Sequence, residues 1–497
     1  MKAQHSPSYS RRILLGRITS ILGAILTARP AAVIGADSND KPISVKDYGA
    51  KGDGVTDDYA SIKEAVRKIN EQKGGTLIFP KGTYYIGAIK DLRDPSQDWD
   101  ITFSECRGLT IDLQGSSIVV RGNFRRSADV KAARGYVSFK NTVIPIKLVN
   151  CQDCHLRNGT LLGGVGELTR DSGVVEGPCH GVMINGGADI YISDLTVRDF
   201  AADGVYIAPS PSAQGKKATR IRLDRVTSTN NARQGMSIVG GIGIRADGCY
   251  FGLTGIVKGA YGNHPPSAGV DVEPNVKPRD GNYTGQIEFI NCKFDRNKGH
   301  NFVASSPEST ASITLSECTF IGDAAARGQA FYAGAVNTYV QDCVIRQCTF
   351  MNCALMPGYA HRTSANPSST KVENCTFSIT KLRTPSIYVQ SKLENLHITL
   401  RQNVLYFEPS GDIPRYFIQI SNKGVEFTQN KIFVSAHKLL ASGARPRFAL
   451  QGISMYSDNE WIGRTQNDIN PSQIIGPTKE ESTNDRFLLD RTWIIPS

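Results

Sequence analysis

Along the middle of the chain one phrase of apolar and polar residues recurs. Ile190-Tyr-Ile-Ser-Asp-Leu-Thr-Val197, Ile221-Arg-Leu-Asp-Arg-Val226, Ile244-Arg-Ala-Asp-Gly-Cys-Tyr-Phe251 and Ile287-Glu-Phe-Ile-Asn-Cys-Lys-Phe294 share alternating apolar positions, a polar turn and a second alternating pair. Ile313-Thr-Leu-Ser-Glu-Cys-Thr-Phe320, Val344-Ile-Arg-Gln-Cys-Thr-Phe350 and Val372-Glu-Asn-Cys-Thr-Phe377 continue the series, with a period between 23 and 43 residues. Alternation with period two marks a half-buried strand. A unit this small cannot bury its apolar face alone, so the repeat predicts a solenoid of stacked coils, with loops of variable length at fixed corners.

A second phrase precedes the first: His180-Gly-Val-Met-Ile-Asn-Gly186, Asp203-Gly-Val-Tyr-Ile-Ala-Pro209, Gln234-Gly-Met-Ser-Ile-Val-Gly240, Ala268-Gly-Val-Asp-Val-Glu-Pro274 and His300-Asn-Phe-Val-Ala-Ser-Ser306. Their starts lie 23, 31, 34 and 32 residues apart, as expected of one strand in five successive coils. The glycine or asparagine at the second position reads as a turn residue with positive φ. Cys249, Cys292, Cys318, Cys348 and Cys375 occupy one place in the first phrase, two residues before an aromatic, which predicts an interior column. In an exported chain, 11 cysteines raise the question of disulfides. An inward column fits free, buried thiols instead. No Cys-x-x-Cys pair recurs besides Cys151/Cys154, so no metal site is expected.

The opening Val45-Lys-Asp-Tyr-Gly-Ala-Lys-Gly-Asp-Gly-Val-Thr-Asp-Asp58 precedes a helical pattern with Ile62, Ala65, Val66 and Ile69 on one face, then Gly74-Gly-Thr-Leu-Ile-Phe-Pro-Lys-Gly-Thr-Tyr84. This combination resembles the start of pectate-lyase-like and polygalacturonase-related proteins. The resemblance implies an all-β chain, a right-handed parallel β-helix whose first coil is covered by an amphipathic helix begun at Asp57 or Asp58. It implies no particular chemistry, because such proteins include hydrolases, lyases, epimerases and phage tailspikes. The expected organisation is an export signal at 1–36, a cap at 37–90, coils at 91–436, and a degenerate coil and tail at 437–497.

Charge and targeting refine this picture. Ser10-Arg-Arg-Ile-Leu-Leu-Gly16 before an apolar stretch resembles a twin-arginine export signal, with a Sec signal or organelle presequence as the alternative. Cleavage after Ala36 removes five basic residues and no acidic ones, taking the formal charge from +11 to +6. The remaining surplus can attract an acidic polysaccharide but is too dispersed to indicate nucleic acid. No interior apolar run reaches the roughly 18 residues of a membrane span. A periplasmic or extracellular place is expected.

The best candidates for chemistry are Asp271 and Glu273. Strand alternation turns Val270 and Val272 inward and both carboxylates outward. Their separation, about two strand rises, suits either the roughly 5–5.5 Å of a retaining glycosidase or the roughly 6.5–9.5 Å of an inverting one. The outward column reads Met183, Tyr206, Ser237, Asp271, Val303, a weakly polar strip walled by insertions at 252–268 and 275–286. Arg233, Asn231, Asp203, Tyr206, Ser237 and His264 are candidate substrate-binding residues. Arg233 is expected to meet a substrate carboxylate or to pair with Asp271, and Tyr206 to stack on a sugar. His180, three rungs from the pair, is set aside. The Asn-Thr-Asp, Asp-Asp and Arg-Ile-Lys that polygalacturonases carry on neighbouring coils are missing from the repeats, as is the Asp-Pro-His of alginate epimerases. A glycoside hydrolase without cofactor is the leading expectation. A uronate lyase or epimerase using Arg233 with His264 or Tyr261, its acidic pair holding Ca2+, is the second. A glycan-binding protein without catalysis is the third.

Overall fold

The computed structural model describes residues 41–490 apart from 88–98, 122–141, 169–176, 178, 211–216, 260–264, 275–283, 311, 323–333, 360–365, 382–383, 390–394, 409–415, 436–446, 452, 466–467, 470–472 and 476–481. The expected signal at 1–36, His264 and Tyr261 lie outside the described residues. All strand pairs are parallel. Thirteen strands, from Thr102–Ser104 to Ile474–Ile475, form one sheet, and 27 form a second that carries the other two faces of the coil. Each coil bonds only to the coil before and the coil after, as a solenoid requires. The repeats align as their sequence phrases do: Ile190 pairs with Ile221, Ile221 with Ile244, and Ile244 with Ile287.

The corner between the two faces of the larger sheet explains how so regular a coil can turn. One residue per coil adopts the left-handed conformation: Arg225, Gly248, Asn291, Glu317, Gln347, Asn374, Gln402, Gln429 and Asp458, with φ between +50° and +59°. Such a conformation costs a non-glycine residue on the order of 1–3 kcal/mol. It persists because the next residue is tied to the neighbouring coils: Lys293 N bonds Cys249 O, Thr319 N bonds Cys292 O, and Thr349 N bonds Cys318 O.

That next residue forms one interior column whose chemistry changes along the axis. Cys292, Cys318, Cys348 and Cys375 each donate a thiol to a carbonyl of the preceding coil, at 3.4–3.6 Å. Asn403, Asn430 and Asn459 then make the equivalent bond through Nδ2, at 3.0, 2.9 and 3.1 Å. All eleven cysteines are buried and unbridged. Beside the thiols, Phe251, Phe294, Phe320, Phe350 and Phe377 stack in a file with centroids 5.6, 4.7, 5.0 and 4.5 Å apart. In-register parallel strands place like on like at the rung spacing, about 4.8 Å.

The helix Tyr59–Gln72 buries Ile62, Ala65, Val66 and Ile69 over the first coil. Asp58 stands at its N-cap but makes no capping bond; its carboxylate instead receives Lys51 N at 2.6 Å and Gly52 N at 3.0 Å, holding the preceding loop. Asp57 accepts from Tyr59 N at 3.0 Å. The glycines of the second phrase also differ from expectation, since Gly181, Gly204, Gly235 and Gly269 do not have positive φ. A Cβ on each would lie 2.5–2.8 Å from a carbonyl oxygen of the following coil. They are glycines because the coils approach closely there. Pairing continues beyond residue 436, with Lys431–Val434 on Glu460–Gly463 and the latter on Arg486–Leu489.

Two outcomes test this core. Ellman titration is expected to find the thiols unreactive in the folded protein and reactive without prior reduction once it is unfolded. Phe350→Ala, which empties the middle of the aromatic file, is expected to cost about 3–5 kcal/mol, read as a lowered denaturation midpoint in guanidinium chloride.

Candidate functional site

The strands Asp203–Ala208, Gln234–Ile238 and Ala268–Val272 lie side by side in the thirteen-stranded sheet. Tyr206 pairs with Met183 and Ser237, Ser237 with Asp271, and Asp271 with Val303, which makes the outward column the one read from sequence. Val270 and Val272 are buried inside the coil. Glu273 follows directly, its N–H bonded to Ile238 O at 3.0 Å, and its side chain is exposed.

Asp271 departs from the expectation of an open surface position. It is only 6% exposed and accepts a hydrogen bond from Gln234 Nε2 at 2.5 Å. Burial, reinforced by the nearby charges of Glu273 and Asp203 and opposed by Arg233, pushes its carboxyl well above the ordinary carboxylate range. The two carboxylates of one strand therefore differ sharply in surroundings.

Arg233 is anchored chiefly on Asp203, while its charge also acts on Asp271. Its guanidinium forks onto Asp203, with Nε on Oδ1 at 2.7 Å and Nη2 on Oδ2. Ser237 Oγ donates to the same Oδ2 at 2.8 Å. Asp203 is fully buried. Burial alone would raise its pKa, but the Arg233 charge and hydrogen bond, with a smaller share from His180, hold it well below the usual range. His180 Nδ1 stands 3.5 Å from Asp203 Oδ2, and its ring leans on Tyr206 with centroids 5.2 Å apart.

The candidate substrate residues thus separate. Tyr206 is half-buried on the strip, while Ser237 and Asp203 are held inside a bonded network. Asn231 does not reach the surface: its Oδ1 receives Phe200 N at 3.0 Å and its Nδ2 donates to Ser228 Oγ at 3.0 Å. It holds the corner of the coil, which corrects its assignment as a binding residue. Reading strands alone missed Gln234 and the tie of His180 to Asp203. A signal was present, since His180, Asp203 and Gln234 put polar residues where strict alternation calls for an inward apolar one. Among the described residues no cluster of three or more His, Cys, Asp or Glu side chains is placed to hold a metal ion.

Two family models match the chain. "Rhamnogalacturonase A/epimerase, pectate lyase-like" covers residues 42–93, and "Right handed beta helix region" covers residues 180–377. The chain is a right-handed parallel β-helix, and its opening matches the pectate-lyase-like model. The β-helix chain is 22% identical over 272 residues to the uncharacterized protein YclG of Bacillus subtilis, covering 51% of this chain and 43% of that one. It is 49% identical over 51 residues to the mannuronan C5-epimerase AlgE4 of Azotobacter vinelandii, covering 10% and 9%. It therefore spans less than half the length of these relatives. Among solved structures, PfbA, a surface adhesin of Streptococcus pneumoniae, superposes with a TM-score of 0.48 at 13% identity, covering 91% of this chain and 92% of the adhesin.

The network carries opposite signs of pH dependence. The raised pKa of Asp271 means that its ionisation burdens the folded state above that pKa, and the burden is lifted as pH falls toward the unfolded value. Asp271→Asn is expected to raise the melting temperature at pH 8 and to leave it nearly unchanged at pH 4. The depressed pKa of Asp203 contributes stability above its unfolded value, near 4, that is lost in acid. Arg233→Met strands this buried carboxylate and is expected to cost about 3–5 kcal/mol at pH 7, read from denaturant unfolding.

Proposed function

We propose that this β-helix is an exported enzyme that hydrolyses a polysaccharide, with Asp271 as general acid and Glu273 as its partner carboxylate. The observation that carries the reading is the contrast between the two groups. Asp271 is buried beside another negative charge, which pushes its carboxyl well above the ordinary range toward the protonated form, while Glu273 stands in solvent two residues on, just past the end of the strand. Pushing two carboxyl groups apart in this way is how glycosidases obtain an acid and a base from like residues. Asp271 gives its proton to the glycosidic oxygen as the bond to the anomeric carbon breaks. Glu273 either takes a proton from the attacking water or bonds to the anomeric carbon itself.

The name of one relative points to the same class of substrate, since the Azotobacter epimerase is one of mannuronan. Elimination from a uronate is supported less, because Arg233, whose charge acts on Asp271, has its fork taken up by Asp203. The expected export and glycan partner follow from the same reading.

The test is a screen of the purified protein against neutral and acidic polysaccharides, read by new reducing ends and by ultraviolet absorbance. Reducing ends without absorbance are expected. Asp271→Asn and Glu273→Gln should each lower the rate by about 10²–10⁴-fold with the fold intact. Absorbance from a new double bond, or full activity in both variants, removes the proposal.

A further inference from the structure

On the opposite side of the coil, the outer face of the larger sheet carries a stripe that the carboxylate site does not use. Thr110 pairs with His155, His155 with Tyr191, Tyr191 with Arg222, and Arg222 with Arg245, one residue from each of five successive rungs. All five are half-buried and face outward between buried apolar neighbours. The His155 and Tyr191 rings meet edge to face with centroids 5.6 Å apart, and the Arg222 guanidinium lies 5.6 Å above the Tyr191 ring. The Tyr191 hydroxyl donates to Asp224 at 2.8 Å, which fixes the ring.

The arginines around this stripe are matched with acids. Arg220 forks onto Asp189, Arg225 onto Asp194, and Arg245 onto Asp247 and Glu288. Arg222 differs. Among the described residues it has no carboxylate or other hydrogen-bond acceptor, and its Nε is buried without a partner. A guanidinium parked on an aromatic face with its donors unmatched is a poor structural element and a good anion receptor.

Three residues upstream along the same strands, beyond the left-handed residues Gly108, Asp153, Asp189 and Arg220, lies a recess of about 340 Å³, lined by Arg107, Asn150, Gln152, Lys217 and Thr219. That volume lies at the lower end of the roughly 300–1,000 Å³ of small-molecule sites. Its floor is main chain at Gly187, where a Cβ would lie 2.2 Å from Cys151 O. Asn150 Oδ1, on its wall, is buried and lacks a donor. Glu105 at the rim is paired with Lys73 at 3.4 Å. The recess thus offers amides and a hydroxyl to sugar hydroxyls, two cations to an acid group, and a tyrosine platform beside it.

We propose that this recess and stripe form a second glycan site, apart from the carboxylate pair, that binds an acidic oligosaccharide. A sugar carboxylate meets Arg222, with Arg107 and Lys217 at the recess, a ring rests against Tyr191, and a hydroxyl satisfies Asn150. The site lies along the coil axis, so an extended polymer can follow the rungs. It does not depend on the reaction proposed for Asp271 and Glu273.

Isothermal titration of the whole protein with hexamers of galacturonate and mannuronate tests it, with a neutral glucose hexamer and inorganic phosphate as comparisons. Binding of at least one uronate hexamer is expected, weakened at least tenfold in both Arg222→Gln and Lys217→Gln and unchanged in Asp271→Asn. The neutral hexamer and phosphate should bind at least tenfold more weakly than the uronate. Melting curves establish that each variant is folded. The proposal is overturned if no uronate hexamer binds, if binding survives both substitutions, if it is lost only in Asp271→Asn, or if phosphate matches the uronate.

Discussion

Everything in this molecule depends on parallel pairing in strict register from coil to coil. A slip of one residue would turn the valines and phenylalanines of a strand outward and its charged residues inward, so the apolar columns and the main-chain bonds fix each other. The left-handed corner residue is the hinge of this arrangement. Glu317, Gln347 and Gln402 hold a conformation that favours glycine or asparagine, because the bonds on either side of the corner outweigh the local cost.

Much of the solenoid was legible in the chain because its determinants are local. Each coil repeats the same alternation, and the thiol column and aromatic file declare the register at a glance. The corner was less legible: its left-handed position tolerates Arg225, Glu317 and Gln429 alongside the expected Asn and Gly. The glycines at Gly204 and Gly235 show the opposite difficulty. Their cause is a carbonyl on the next coil, a contact that no reading of a single strand contains.

The candidate site was readable only as far as alternation reaches. The outward column from Met183 to Val303 follows from period two. The partners within it do not, since Asp203 meets Arg233 and Ser237 on the next coil, while Gln234 meets Asp271 one coil further. The bonds of Asp203 with Ser237 and of Gln234 with Asp271 join a strand's first position to the fourth position of its neighbour, a diagonal that depends on where the corner ends. The burial of Asp271 likewise reflects what surrounds the strand and not the strand itself. The carboxyls of Asp203 and Asp271, two acids on the same sheet, are thereby pushed in opposite directions from their ordinary range, one by a forked arginine and the other by desolvation.

The column that passes from cysteine to asparagine carries a different implication. Thiol and amide donate to the equivalent carbonyl of the preceding coil, Ile345 O for Cys375 and Val372 O for Asn403, so a rung of either kind can stand next to a rung of the other. A coil is in this sense a module with a standard connector at its corner. Whole coils can be gained or lost over generations without redesigning their neighbours, and the length of such a protein changes in steps of one rung.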